Sequence, residues 1–506
     1  MLRRLNKSWR DAGVLLVLLL AWVLSPAGSS SEAAGYTLTI GVGRDFLDGP
    51  DSRAYVHGST HTWEALTYLD ENLKAVPWLA TAWESRDNGK IWTFHIRKGV
   101  TFHNGDPLTA ERAKASILRI ASSPKYDPSG TFRHLESLKI SGPLRLTFVL
   151  SSPSPNFPGG VSYYASPILH PDSFGPDGRL TGIIGTGPFR LEIAKPGEKM
   201  VLRAFKNYWG PSPEFDRVIF LPLLDAQTRI MALLSGQVDA VADVGAILPQ
   251  QLYLLKHRPE VTLKQVEVAT THYLIFNCRR PPFHHREARH WLAHLIDRPK
   301  LIRTLVADAG KVAADPYSPL ARDWAFGDVV PTAGKAPAPL PENDSAIILV
   351  HAGTTGRWPY LDIAQFIQSL LDSQGIRTVI RVKEAGAYFQ ALKSGNFHMA
   401  LQPNTLMTGD PDFFYAYYLA SDGPRYYGGG SPETDDLIRD ARHEMDHQHR
   451  KELYRRVSKA FARDLPLLPL FHDISWYAHR AATVNHFSMD HKFRPGLVLA
   501  RPGKAK

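Results

Sequence analysis

The chain has 506 residues, 44% of them hydrophobic, and a formal net charge of +10. Its basic residues are spread along the sequence and form no stripe, which argues against a nucleic-acid partner. The single cysteine, Cys278, excludes an internal disulfide. Because the length exceeds what one hydrophobic core normally supports, we expect two or three domains.

Residues 1–33 have the pattern of a secretory signal peptide. Four basic residues precede a short apolar run from Ala12 to Leu24, and Ser31-Glu32-Ala33 ends in small residues that suit signal peptidase. The alternative, an uncleaved anchor, normally needs roughly 20 continuous apolar residues. No cysteine lies near the run, so we expect a periplasmic protein that is not a lipoprotein and whose mature form carries about +8.

The next clear pattern is a strand, a turn and a helix. Residues 92–98 alternate apolar and polar side chains, which predicts a half-buried strand. Asn104-Gly105-Asp106-Pro107 is typical of a turn, because glycine permits a positive φ and proline fixes its own. Thr109 then predicts the N-cap of a helix with apolar positions Ala113 and Ile117.

Three segments with glycine or aromatic residues follow. Gly185-Thr186-Gly187-Pro188-Phe189 predicts tight turns and lacks the Lys-Ser/Thr of a phosphate-binding loop. Lys206-Asn207-Tyr208-Trp209-Gly210 offers two aromatic rings for a hydrophobic seam. From Asp225 to Asp239 the pattern predicts an Asp-capped helix that stops at Gly236 and leads into a strand.

The second half alternates between predicted strands and helices. Residues 273–277 predict a strand, and the proline-rich stretch from Ala313 to Asp344 predicts a long loop or internal linker. Strands are then predicted at residues 346–351 and 375–380, on either side of a helix at residues 359–372. Asp464-Leu465-Pro466-Leu467 precedes a last apolar run.

These segments, together with Pro77-Trp78-Leu79-Ala80, occur in the same order as in the family 5 extracellular solute-binding proteins, and the chain resembles that family. The resemblance implies an α/β, two-lobed periplasmic-binding-protein fold of type II with an extra domain on the N-terminal side. The implied boundaries are 34–66 plus 184–268 plus 472–506 for lobe I, 67–183 for the extra domain, and 269–471 for lobe II.

The resemblance also implies a function. Members are the substrate-binding components of ABC importers, so we expect the lobes to close around a peptide or a nickel or other metal chelate. The loaded protein would then deliver its ligand to permease subunits in the inner membrane. On this interpretation the protein is a monomer and not an enzyme, with no catalytic residue, cofactor or resident metal.

A zinc-dependent hydrolase is the alternative. His443-Glu444-Met445-Asp446-His447 satisfies His-Glu-x-x-His, in which two histidines one helical turn apart bind zinc and the glutamate acts as base. Residues 435–464 predict one long helix or two, so the required helical spacing is expected. The apolar stripe through Leu437, Ala441 and Met445 places both histidines toward solvent, which argues against a catalytic site.

A second histidine cluster precedes and enters another predicted helix. It comprises His284, His285, His290 and His294. The last two lie one helical turn apart, at the expected solvent edge. A transition-metal site there would need a further donor from elsewhere.

The resemblance leaves the ligand open. Peptide receptors of the family hold the ligand's ammonium group on an aspartate three residues before an Asp-Pro pair, and here Met407 stands at that position. Burying an ammonium group without its carboxylate is costly, which argues against ordinary peptides. Arg133-His134 resembles a pair in the nickel receptors whose arginine holds chelate carboxylates, but their second arginine and metal-contacting histidine have no counterpart. Peptide, nickel-chelate and opine-like ligands all remain open.

Six residues in segments that flank the family's cleft are the candidate ligand contacts. They are Trp63, Arg133, Tyr164, Met407, Asp410 and Tyr415. Each also has a structural alternative: Trp63 could be a packed aromatic, Asp410 a helix cap, and Arg133 a surface partner of Glu136.

Overall fold

The computed structural model describes residues 35–45, 61–127, 130–162, 166–243, 245–329, 334–338, 340–341, 344–492 and 494–503. The predicted signal peptide, residues 1–33, and Tyr164 lie outside the described residues. The chain divides into two compact units, Met1–Tyr36 and Thr37–Lys506, and all elements described below belong to the second. Within the described ranges, no helix has the length and hydrophobicity needed to cross a membrane.

Strands and helices alternate irregularly along this unit. The strands are β1 Thr37–Val42, β2 Thr67–Leu69, β3 Ala75–Pro77, β4 Ala80–Arg86, β5 Ile91–Ile96, β6 Leu135–Gly142, β7 Arg145–Leu150, β8 Phe189–Lys195, β9 Lys199–Ala204, β10 Arg217–Pro222, β11 Ala240–Val241, β12 Val261–Phe276, β13 Gly310–Val312, β14 Ala346–His351, β15 Thr378–Lys383, β16 Met399–Thr405, β17 Leu467–Arg480, β18 Val484–Asn485 and β19 Arg501–Pro502. The helices are α1 Ala110–Ala121, α2 Phe157–Gly160, α3 Ala226–Ser235, α4 Leu252–Leu255, α5 Arg286–Leu295, α6 Arg298–Leu305, α7 Ala352–Thr355, α8 Tyr360–Ser373, α9 Ala385–Ser394, α10 Asp412–Tyr418, α11 Pro432–His443 and α12 His447–Asp464.

A large mixed sheet forms the centre of the unit. Ten of its strands follow the order β15-β14-β16-β12-β17-β11-β1-β10-β9-β8, and β13 pairs with β17 beside this path. Strand β1 runs parallel to β10 and β11, and β14 runs parallel to β15 and β16. Burial is greatest in β1, β11 and β14, which contain many Val, Ile and Leu residues, as expected where both faces of a sheet are covered.

Two long antiparallel strands, β12 and β17, connect the two halves of this sheet. Their pairing runs from Val261 opposite Arg480 to Glu267 opposite Ile474, then shifts register and resumes with Thr271 opposite His472. A register shift of this kind bends a strand pair locally. It lies beside the predicted lobe boundaries at 268/269 and 471/472. The exact residues at which the lobes begin and end stay a prediction.

A separate four-stranded sheet, in the order β4-β5-β7-β6, packs with α1 around its own hydrophobic core. Phe94, Phe148 and Phe157 meet there with ring centroids 5.0–6.0 Å apart. Thr109 caps α1 as predicted, because its side chain accepts a hydrogen bond from the backbone N–H of Arg112 at 3.3 Å.

Local sequence signals elsewhere are also confirmed. Asp225 caps α3 by accepting from the N–H of Thr228 at 2.7 Å, and Gly236 ends that helix with a φ of 82°. Strand β14 and helix α8 lie where they were predicted, whereas β15 begins at Thr378, three residues later than expected. Between residues 313 and 345 the described chain forms only a short 3₁₀ helix, Arg322–Trp324, in agreement with the predicted long loop.

Candidate functional site

A cavity of about 430 Å³, called here the main cavity, is the leading candidate for a binding site. Two predicted residues line it, Trp63 and Met407, which are only 3% and 8% exposed. The remaining described lining residues come from distant parts of the chain: His61, Glu64, Ala65, Thr67, Tyr68, Trp78, Ser162, Pro188, Tyr208, Pro211, Ser488, Met489, Asp490, Lys492, Arg494, Pro495, Gly496, Leu497, Val498 and Leu499.

Glu64 is a buried carboxylate in the wall of the main cavity. Its Oε1 accepts from the indole N–H of Trp78 at 2.7 Å and the hydroxyl of Tyr208 at 2.9 Å. Its Oε2 accepts from the hydroxyl of Thr186 at 2.9 Å and the indole N–H of Trp209 at 2.8 Å. Burial raises the pKa of Glu64 to about 7, although these hydrogen bonds oppose the shift. The carboxylate therefore joins its own segment to three others.

Asp490 organises another part of the wall, to which residues 488–490, 492 and 494–499 contribute. Its Oδ1 accepts from the backbone N–H groups of Lys492 and Arg494 at 2.8 and 2.9 Å. Its Oδ2 accepts from the hydroxyl of Tyr68 at 2.8 Å and from Nε of Arg494 at 2.7 Å. Burial raises the pKa of Asp490 to about 6. These contacts fix the backbone at both cationic residues of the loop and also hold the Arg494 guanidinium.

Lys492 and Arg494 bring two positive charges into the main cavity. The Lys492 ammonium lies 5.1 Å and the Arg494 guanidinium 4.2 Å from the ring centroid of Tyr68, within cation–π range. Burial lowers the pKa of Lys492 to about 8 and that of Arg494 to about 9, because desolvation disfavours the charged forms. Among the described residues, no acceptor hydrogen-bonds to the Lys492 ammonium.

A second cavity, of about 110 Å³, contains two other predicted residues, Arg133 and Asp410. Asp410 is buried and forms a bidentate ion pair with Arg450, with oxygen–nitrogen distances of 2.6 and 2.8 Å. Asp412 pairs with Nε of Arg442 at 3.0 Å. The attraction of Asp410 raises the pKa of Arg450 despite its burial. The buried charges of this second cavity are thus paired within the protein.

The structure does not bring all the predicted contacts together. Trp63 meets Met407 at the main cavity, while Arg133, an exposed side chain, lies with Asp410 at the second. Tyr415 is 0% exposed and packs in the hydrophobic core, stacked on Tyr454 with a centroid distance of 6.0 Å.

Comparison with known proteins identifies the family. The description "Bacterial extracellular solute-binding proteins, family 5 Middle" matches residues 74–425. The chain belongs to this family. It is 24% identical over 477 residues to Di/tripeptide-binding protein 2 of Pseudomonas aeruginosa (strain UCBPP-PA14), covering 86% of this chain and 89% of that one.

Solved structures show the same fold. NikA from Brucella suis in complex with Fe(III)-EDTA superposes with a TM-score of 0.79 at 20% identity, over 92% of this chain and 99% of that one. The ABC transporter-associated periplasmic binding protein DppA from Helicobacter pylori in complex with the peptide STSA gives a TM-score of 0.77 at 21% identity, over 93% and 98%. This family 5 protein therefore has the two-lobed α/β fold of type II periplasmic-binding proteins, as predicted.

The His-Glu-x-x-His pentapeptide of this family 5 protein spans the junction of two helices. Of the predicted alternatives for residues 435–464, two helices is confirmed, and the expected spacing of both histidines on one helix is wrong. Helix α11 ends at His443, Glu444 is extended with φ −77° and ψ 119°, and α12 begins at His447. Asp446 caps the second helix, so the two histidines lie on different helices. No three His, Cys, Asp or Glu side chains within the described ranges are grouped to hold a metal ion. The comparisons give no support to a hydrolase.

The other histidine cluster is also corrected in part. His290 was expected at the solvent edge of its helix, but it is buried, with Nε2 3.0 Å from the carbonyl oxygen of Arg463. His294 is exposed as expected. The ring of His290 is thus used to join α5 to the end of α12.

The sequence reasoning missed the charged residues of the main cavity. Glu64 carries a signal, because it is an acidic residue within the otherwise uncharged run Thr62–Tyr68. Lys492 and Arg494 alternate with aromatic neighbours close to the C-terminal end, a pattern that could have directed attention there. Asp490 offered only the turn-forming tendency of aspartate.

Proposed function

We propose that this protein is the periplasmic substrate-binding component of an ABC importer, and that it captures a peptide or a metal chelate in the main cavity. The supporting observation is the composition of the cavity wall. Met407 lies in predicted lobe II, whereas Trp63 and residues 488–499 lie in predicted lobe I. A ligand held between them would contact both lobes and so favour the closed state.

The size of the cavity supports a small ligand. About 430 Å³ lies within the roughly 300–1,000 Å³ that small-molecule sites occupy. The related Pseudomonas aeruginosa protein is named for di- and tripeptides, and the Brucella suis structure holds an iron chelate. Both ligand classes are compatible with this volume.

Export and delivery belong to the same proposal. Residues 1–33 would be removed on export, leaving a monomer that meets permease subunits in the inner membrane. Intact mass measurement of the protein recovered from the periplasm tests the first step: a mass that lacks residues 1–33 is expected, and a full-length mass in the membrane fraction would contradict it.

Native mass spectrometry of the gently purified protein, with and without a chelator wash, tests the ligand. A co-purifying mass of a short peptide, or of a metal with an organic chelator, is expected. The bound species should be lost or weakened at least tenfold in Met407→Trp, because the indole would occupy the cavity. Met231→Trp is the matched control, since Met231 is exposed on α3. Equal ligand retention in both variants would contradict a site at the main cavity.

A further inference from the structure

We propose that the main cavity selects ligands by a carboxylate placed against Lys492 and Arg494, and that it disfavours ligands with a free ammonium group. The ligand class would be net-anionic carboxylates, such as peptides with a blocked N-terminus or carboxylate chelates. This inference rests on the proposed function and adds the chemistry that the same site recognises.

The two carboxylates of the cavity have no remaining acceptor positions for a ligand. A carboxylate offers about four lone-pair directions, two on each oxygen. In Glu64 each oxygen accepts two hydrogen bonds, from Trp78 and Tyr208 on one and from Thr186 and Trp209 on the other.

Asp490 is saturated in the same way. Two backbone N–H groups bind its Oδ1, while the Tyr68 hydroxyl and Nε of Arg494 bind its Oδ2. An incoming ammonium group would have to displace donors that build the wall itself. The acids therefore shape the cavity rather than receive a cation.

The two cations, in contrast, retain hydrogen-bond donors that the described part of the protein does not use. Lys492 is only 6% exposed, and its ammonium meets the face of Tyr68 but no hydrogen-bond acceptor in the described part of the chain. Only Nε of the Arg494 guanidinium is hydrogen-bonded within that part, which leaves its two terminal nitrogens for a ligand. Lys492 lines the cavity, so a ligand carboxylate there could supply the acceptor that the described part of the protein does not.

The rest of the wall gives an ammonium group no compensation. Trp63, Met407, Leu497 and Val498 present apolar side chains to the cavity. The two ends of a zwitterionic peptide would thus meet unequal surroundings, one cationic and one apolar.

Isothermal titration calorimetry with charge-matched probes tests the assignment. The probes are N-acetyl-Ala-Ala, which is anionic, N-acetyl-Ala-Ala-amide, which is neutral, Ala-Ala, which is zwitterionic, Ala-Ala-amide, which is cationic, and nickel citrate. The anionic peptide is expected to bind at least tenfold more tightly than its neutral amide or Ala-Ala, with the cationic amide weakest.

Substitutions of Lys492 test whether its ammonium group binds the ligand's carboxylate. Lys492→Met should weaken N-acetyl-Ala-Ala at least tenfold and leave the neutral amide unchanged, while Lys139→Met, an exposed lysine of the four-stranded sheet, should change neither. Lys492→Gln provides a second neutral variant if the first fails to fold, and Lys492→Arg should retain binding.

Different results would contradict the proposed function and the carboxylate assignment. No binding of any peptide probe or of nickel citrate would contradict the proposed function and the carboxylate assignment together. Tightest binding of Ala-Ala or of the cationic amide, or equal affinity of wild type and Lys492→Met for the anionic peptide, would leave a binding protein but overturn the assignment.

Discussion

The main and second cavities share one loop but treat charge in opposite ways. The segment between β16 and α10 contributes Met407 to the first and Asp410 to the second. In the second cavity each buried arginine faces a carboxylate of the protein. In the main cavity Arg494 pairs with Asp490 through its Nε, the two carboxylates have no remaining acceptor positions, and Lys492 is left without an acceptor among the described residues.

The difference separates charges that hold the fold from charges that are available to a ligand. A paired buried ion satisfies its partner, so removing either member is strongly destabilising. A cation that lines a cavity and has no hydrogen-bond acceptor from the described protein is available to a bound anion. Substitutions at the second cavity should therefore change stability, and those at Lys492 should change binding.

The largest loss of stability is expected for Arg450→Met. The substitution leaves Asp410 buried without its partner and removes the hydrogen bond from Arg450 Nε to the carbonyl of Ala441, so the free energy of unfolding should fall by about 3–5 kcal/mol. Urea unfolding followed by tryptophan fluorescence measures this change. Arg439→Met, which removes an exposed pair with Asp436, should change it by less than about 1 kcal/mol.

A double variant tests whether Asp410 and Arg450 act as a pair. Asp410→Leu combined with Arg450→Met replaces the buried pair by apolar side chains and should recover most of the lost stability. Additive losses in the double variant would show that Asp410 and Arg450 do not act as a pair, and the contrast between the cavities would fail.

Gly409, in the loop shared by the two cavities, comes next. Its φ is +70°, and a Cβ there would lie 2.0 Å from the backbone oxygen of Leu73. Gly409→Ala should lower the free energy of unfolding by roughly 2–4 kcal/mol, through backbone strain and this clash. Gly105→Ala is the control, because its φ is +91° but no atom lies within 4 Å of the added Cβ.

The same urea titrations decide this comparison. The control should lose only the strain of a positive φ, about 1–2 kcal/mol. Equal losses in the two variants would mean that the shared loop adapts to the added methyl group. The close approach of Gly409 to Leu73 would then not constrain the cavities.

Glu64→Gln should have a smaller and pH-dependent effect. Near pH 5 the Glu64 carboxyl is protonated, and its hydroxyl oxygen can still accept a hydrogen bond, whereas the amide nitrogen of Gln cannot and would face two donors. A loss of roughly 1–3 kcal/mol is therefore expected, measured by urea unfolding. Glu84→Gln, at an exposed site on β4, should leave stability within about 0.5 kcal/mol of wild type.

The sign of the pH dependence follows from the raised pKa. The folded protein holds the Glu64 proton up to about pH 7, whereas the unfolded chain releases it near 4.5, so folding binds a proton between these values. This contribution to stability is complete below pH 4.5 and is lost as the pH rises to 7. The deficit of Glu64→Gln relative to wild type should therefore shrink from pH 5 to pH 8. A deficit that grows over this range would contradict the raised pKa. Asp490, whose pKa is also raised, titrates in both proteins and cancels in the difference.

Much of the fold could be predicted because its signals are local. Thr109 and Asp225 cap their helices through backbone groups three residues away, and Gly236 ends a helix through its own φ. The junction at Glu444 shows the limit. Its neighbours are all compatible with a helix, and the break follows from Asp446 capping a new helix, an alternative that the helical pattern alone does not exclude.

The site was harder to predict because its contacts are distant in sequence. Tyr68 meets Asp490 across 422 positions, and Glu64 meets Trp209 across 145. Trp63 and Met407 could be assigned to the site only through the resemblance to a family, and not from pattern or spacing alone. Pattern and spacing could not show that Lys492 lacks a hydrogen-bond acceptor among the described residues, because that property depends on which distant groups have already been paired.

The smallest effect is expected for Glu444→Gln, beside the second cavity. Glu444 accepts from the backbone N–H of Asp446 at 2.7 Å and contacts His449 Nδ1 at 2.6 Å, both at exposed positions, so its loss should change stability by at most about 1 kcal/mol. Zinc bound per protein, measured by mass spectrometry of the metal, should be substoichiometric in wild type and unchanged in His447→Ala, because His443 and His447 lie on separate helices. Stoichiometric zinc that disappears in His447→Ala would show that the two helices can rearrange around a metal. In that case the second cavity, which His443 lines, would respond to a metal in addition to containing the buried Asp410–Arg450 ion pair.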